Sequence, residues 1–246
     1  RGSPRRACSC RAGPSGDSGP RTSHGGPGRR VIGNKTMMKK IDREPNGRRS
    51  FIPGQDLVAA GVIGKTGARA VLEKKEIYLN SRFHPAFIRR LKAAAGEKIC
   101  LTPEVLMELG AAEWEYIEEG GILAALWRLS GAYEQGISFS LLKIPVSQEI
   151  IEACELFDLN PYRLWCGECV LVAADHGQDM VCALEEKGIR AAVIGKVEKG
   201  ITRRMTGIGG TGYLERPQPD EVYKIIDEED YHEGKNTGDY RKEQQN

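Results

Sequence analysis

This 246-residue chain has no apolar run near the roughly 20 residues that a helix needs to cross a bilayer. A helical membrane anchor is therefore excluded as a reading of the sequence. It also lacks an excess of either charge: the formal net charge is +2, which gives no global case for nucleic acid or a membrane surface as partner. Its four histidines show no H-x-x-x-H spacing, so no helical pair of metal ligands is implied. Seven cysteines are present, an odd number without the spacing of a disulfide framework. No signal-like apolar segment precedes them, and the expected compartment is the reducing cytoplasm. Residues 1–30 contain no Val, Ile, Leu, Met, Phe, Tyr or Trp. Such a segment has too little apolar surface to offset its ordering entropy. Its basic clusters, Arg5-Arg6 and Arg29-Arg30, allow an arm for nucleic acid, but composition favours a non-native leader ahead of Met37.

What is present is 40% hydrophobic and 28% charged, the balance of a globular domain with polar ends. The expected organisation is a disordered arm over 1–36, a linker over 37–52, one folded domain over 53–227 and a charged tail over 228–246. Short β-like and longer α-like runs alternate through the domain. "DLVAAGVIG" and "CVLVAA" read as buried strands, and "ISFSLL" as a half-buried one with Ile137, Phe139 and Leu141 on one side. "GARAVLEKKEIYLNSRF" reads as a helix with Ala70, Val71, Lys74, Ile77 and Tyr78 on one face. Further helix starts are marked by His84-Pro85, by Thr102-Pro103 and by Ser147. "GGILAALWRLSGAYEQG" carries a broad apolar face through Ile122, Leu123, Leu126 and Leu129. The fold class is α/β or α+β, a sheet packed with helices.

The stretch "LVAAGVIGKTGARAVL" approaches the strand–loop–helix of a phosphate-binding P-loop. That motif needs a glycine five positions before its second glycine, and the residue there is Ala59. No apolar strand ending in a well-placed Asp follows; "CVLVAAD" sets Asp175 late. A strand, a glycine turn and a helix start suffice to explain it.

Further along, "EEGGILAALWRLS", "ISFSLLKIPVSQEIIEACELFDLNPYRLWCGECVLVAA" and "GIRAAVIGKV" occur in an order that resembles one family. It is the C-terminal domain of the aminoimidazole ribonucleotide synthetase (PurM) superfamily. Within it, the likeness is to proteins grouped with the hydrogenase maturation factor HypE. "GQDLVAAGVIGKTGARAVL" is similar to the opening of that domain, and "GYLERPQPDEVYKI" to its close. The resemblance covers about residues 54–226. It implies a mixed sheet packed with helices and a context of ATP-dependent metabolite or hydrogenase-maturation chemistry. In the family an N-terminal domain binds ATP and magnesium and the C-terminal domain closes the site. The residues before Pro53 are too few for that domain, so ATP and magnesium are implied by resemblance alone and no cofactor is expected on this chain by itself.

Other departures bear on activity. Many relatives carry His-Asp-x-Thr ahead of Glu-Gly-Gly; here the stretch is Glu115-Tyr116-Ile117-Glu118. The resemblance also implies a terminal cysteine as carbamoyl carrier, whereas the sequence closes on Gln244-Gln245-Asn246 and its last cysteine is Cys182. No catalytic residue is assigned. Gly120 and Gly121, with Glu118 beside them, are anion-binding candidates because a glycine-opened helix start offers free N–H groups. Acidic capping and close packing is the competing reading. Gly209 and Gly210 in "TGIGGTGY" are weaker candidates, set against a plain hairpin turn. Cys166-Gly-Glu-Cys169, with His176 and Cys182, is read as structural thiols rather than a metal or redox set. The functional reading is a stand-alone or truncated HypE-like C-terminal domain, not competent alone. The alternative is a non-catalytic assembly module. Self-association or a separate ATP-binding partner is expected.

Overall fold

The computed structural model describes residues 51–226. The expectations for residues 1–36, for the linker up to residue 50 and for the tail lie outside the described residues. Phe51, at the end of the expected linker, is buried and packs its ring against Tyr133.

Seven strands form one sheet: β1 (Asp56–Ala60), β2 (Ala111–Tyr116), β3 (Gly136–Ser140), β4 (Val170–Ala174), β5 (Ala191–Glu198), β6 (Arg203–Gly207) and β7 (Gly210–Tyr213). Their order is β2-β4-β1-β5-β3-β6-β7. Every pairing is antiparallel except β3 with β6, so this is a mixed sheet. β1 and β4 are continuous apolar runs because they lie inside the sheet with both faces covered.

Period-two alternation sends one set of side chains to each face. Leu57, Ala59, Leu171 and Ala173 pack with Ile122, Leu126 and Leu129 of α4 (Gly121–Ala132). Val58, Ala60, Val170 and Val172 pack with Leu106 of α3 (Pro103–Glu108) and with Met180 and Leu184 of α6 (Gly177–Glu186). A third apolar cluster joins α1 (Lys65–Arg82), α2 (Pro85–Gly96) and α5 (Gln148–Leu156), and Val222 closes it. Caps expected from sequence form: the Thr102 and Ser147 side chains accept from the Val105 and Ile150 N–H groups, and His84, not expected as a cap, accepts from the Ala86 N–H.

Three local expectations change. β2 is a strand that the sequence pattern did not announce; Trp114 enters the core while Glu113 and Glu115 are buried on the opposite side. The apolar face of α1 is Ala68, Val71, Leu72 and Leu79, with Ile77 89% exposed, and the helix is broken at Lys75 (φ −124°, ψ 21°). Cys182, read with Cys166 and Cys169 as a structural thiol, is exposed.

No helix among the described residues is long and apolar enough to cross a membrane.

Candidate functional site

Two helix starts meet on one short turn. Gly64 precedes α1 with φ 79° and ψ 4°, and Gly120 precedes α4 with φ 78° and ψ 4°. Glycine is needed at both because this is the left-handed region. Between them lies the helical turn Pro161–Arg163. A Cβ on Gly121 would lie 2.5 Å from the Tyr162 carbonyl oxygen, so α4 packs on backbone there.

Each start is filled by the chain's own groups. The Gly64 N–H donates to Cys166 Sγ at 3.0 Å. The Gly120 N–H donates to Asp220 Oδ2 at 2.8 Å, while Asp220 Oδ1 accepts from the Val222 N–H at 3.0 Å. An anion at Gly120 would have to displace this carboxylate. Burial pushes the Asp220 carboxyl up to about 6, with Glu119 and Glu221 adding to the push and the two N–H donors opposing it. Glu119 accepts from the Tyr223 hydroxyl at 2.9 Å, which places it in the same acidic group.

Lys65, the lysine of the P-loop-like stretch, is 1% exposed. Its Nζ donates to the Glu97 carbonyl and to Glu168 Oε2, both at 2.7 Å. Glu168 also accepts from the Ile99 N–H at 3.1 Å. Burial acts to raise the Glu168 carboxyl, but the Lys65 and Ile99 hydrogen bonds hold it below its ordinary value. This lysine therefore ties the start of α1 to the Cys166–Cys169 loop and points at no open surface.

Cys166 and Cys169 are fully buried. Cys169 Sγ donates to the Val62 carbonyl, and Cys166 Sγ to the Leu164 carbonyl. Burial, with the neighbouring Cys169 thiol, holds the Cys166 thiol well above its ordinary value, the opposite of what a reactive cysteine needs. His176 is the N-cap residue of α6. Among the described residues no group of three or more His, Cys, Asp or Glu could hold a metal ion.

Beside Gly120 lies a cleft of about 200 Å³, walled by Leu123, Leu141 and Met205 and rimmed by Tyr162, Arg163 and Arg216. Gly209 sits in the exposed β6–β7 turn and Gly210 opens β7, with nothing within 4 Å of a Cβ at either position.

No family model matches the chain. It is 28% identical over 172 residues to the carbamoyl dehydratase HypE of Rhizobium leguminosarum bv. viciae, an overlap of 64% of this chain and 45% of that relative. The chain therefore spans less than half the length of the curated relative it matches. The folded part is a HypE-like domain. Its fold matches E. coli HypE with a TM-score of 0.54 at 21% identity, covering 72% of this chain and 54% of that one. It matches a HypE–HypF complex at 0.55 and 19% identity, over 69% and 55% of the two chains. A HypE solved in complex with ATP matches at 0.53 and 16% identity, over 72% and 54%. HypE-type proteins thus occur with ATP and with a protein partner, and the fold expected from the resemblance is the one observed.

Within the site, the sequence singled out Gly120, Gly121 and Glu118, and Gly120 lines the cleft. Asp220 and the Lys65–Glu168 pair were missed. "PDE" in "RPQPDEVYKI" carries an N-cap signal for the turn Glu221–Lys224, but nothing local tells that the same carboxylate reaches a helix 100 residues away.

Proposed function

We propose that this HypE-like domain is the closing half of a two-part, ATP-dependent site and that it does not hold ATP and magnesium by itself. The partner is a separate ATP-binding unit. The observation that carries the reading is the consumption of Lys65 by Glu97 and Glu168, which leaves the phosphate-loop-like turn without a cation for phosphate. The turn from Glu118 to Gly121 and the cleft beside it then form the rim that meets the ATP-binding unit. The family context is hydrogenase-maturation or metabolite chemistry in the cytoplasm. Calorimetry of the intact chain with ATP and magnesium is the test. No heat of binding up to millimolar nucleotide is expected, and a sub-millimolar dissociation constant would overturn the reading.

A further inference from the structure

The two edges of the sheet are built differently. On β2, Glu113 and Glu115 point inward as buried carboxylates, and the ladder to β4 shifts register between Ala111 and Glu113. Inward charges and irregular register are the devices that keep an edge strand from pairing with another chain. β7 has neither: it reads Gly-Thr-Gly-Tyr, with no charged residue and a regular register against β6.

The hydrogen-bonding direction of this edge follows from the pairing. The Leu214 N–H donates to the Arg203 carbonyl, so residues 214, 212 and 210 face β6. In an antiparallel ladder the alternate residues, Thr211 and Tyr213, direct their N–H and C=O groups outward. Tyr213 is 71% exposed and Ile208, in the adjoining turn, 94%. The cleft beside Gly120 abuts this strand through Tyr213 and Leu214. The surroundings are basic: residues 199–216 carry Lys199, Arg203, Arg204 and Arg216 against the single acid Glu215.

We propose that β7 is a strand-addition site for an extended acidic polypeptide segment of a partner protein. The segment pairs its backbone with Thr211 and Tyr213. Its alternate side chains lie beside Gly212 and Leu214 toward the cleft, and its carboxylates meet Arg204 and Arg216. Backbone pairing supplies affinity in this mode, and the side-chain pocket with the charge supplies selectivity. The proposal does not depend on the ATP reading, and its test uses no nucleotide.

The test is fluorescence anisotropy of the intact chain with a blocked, dye-labelled peptide alternating Glu with Val and Tyr, alongside its Lys counterpart. The Glu peptide is expected to bind, more weakly as salt rises, and the Lys peptide is not. Thr211→Pro removes one outward N–H without touching the β6 ladder and should weaken binding about fivefold. Arg204→Glu with Arg216→Glu should abolish it. Hydrogen exchange provides an independent readout: the Thr211 and Tyr213 amides should gain protection only when the Glu peptide is present. Equal binding of the Lys peptide, or binding indifferent to Thr211→Pro, overturns the proposal. So does protection of Thr211 in the peptide-free monomer, which would make the chain's own acidic stretch after Ile226 the occupant. Protection that appears only as protein concentration rises would make the occupant a second copy and overturns the proposal equally.

Discussion

Removing the carboxylate of Glu168 tests the claim that Lys65 is a structural cation. In Glu168→Ala the ammonium, 1% exposed, keeps only the Glu97 carbonyl at 2.7 Å. Breaking a buried ion pair from one side costs about 3–5 kcal/mol. Glu168 is 39% exposed, which lets water approach the abandoned charge and sets the expectation at the low end, about 3 kcal/mol. Glu168→Gln keeps an oxygen for both Lys65 and Ile99 and loses only the charge, so about 1 kcal/mol is expected. Lys65→Met removes the ammonium instead and leaves a carboxylate that water can reach, for about 1–2 kcal/mol. The double variant Lys65→Met with Glu168→Ala should be no less stable than Glu168→Ala alone, because the second change removes the stranded charge. Urea denaturation at neutral pH measures all four. A Glu168→Ala loss within about 0.5 kcal/mol of zero, the size of an ordinary surface change, would refute the reasoning. Strict additivity in the double variant would refute it as well.

Asp220 has a folded-state value of about 6 against an ordinary 3.8, so its protonation favours the folded state. Its contribution is complete below pH 3.8, the ordinary value, and is lost as pH rises through about 6. Asp220→Asn should flatten the difference in thermal midpoint between pH 4.5 and pH 7, and parallel profiles for parent and variant would contradict the assignment. Gly121→Ala combines φ +65° with a Cβ 2.5 Å from the Tyr162 carbonyl oxygen and should cost about 3 kcal/mol by denaturant titration. Gly188→Ala has φ +75° and open space and should cost only about 1 kcal/mol. Alkylation followed by peptide mapping should label Cys100 and Cys182 in the folded protein and reach Cys154, Cys166 and Cys169 only in denaturant; early labelling of Cys166 would contradict its burial.

Most elements were legible because their signals are local. Thr102-Pro103 and Ser147 mark helix starts through hydrogen bonds to residues three positions on, which a sequence displays directly. β4 was legible as an unbroken apolar run because both its faces are covered. β2 was not, although Ala-Glu-Trp-Glu-Tyr alternates. Its two glutamates look like a solvated face, yet Glu113 receives the Tyr133 hydroxyl and Glu115 pairs with Arg128 at 2.9 Å. A carboxylate is hidden from a periodicity argument whenever its partner is remote in sequence. On α1 two stripes share helical spacing, Ala70, Lys74, Ile77 and Tyr78 against Ala68, Leu72 and Leu79, and only packing against α2 and α5 decides between them.

The candidate site was legible in its glycines and illegible in what fills them. Gly64, Gly120 and Gly177 each open a helix, and each invites the same reading of free N–H groups awaiting an anion. In the fold all three N–H groups are taken. Cys166 serves Gly64 from 102 residues away, Asp220 serves Gly120 from 100, and Asp56 serves Gly177 from 121 at 3.1 Å. Each contact satisfies an N–H at a helix start with a side chain from a distant part of the sequence. The turn between β1 and α1 is thereby fixed to the loop before β4, α4 to the closing turn at Glu221–Lys224, and α6 to the start of β1. These glycines are consequently junctions of the fold, and a ligand that used any of them would have to undo a tertiary contact to enter. Binding is better sought where backbone groups are not consumed internally, and among the described residues no strand pairs with the outer edge of β7.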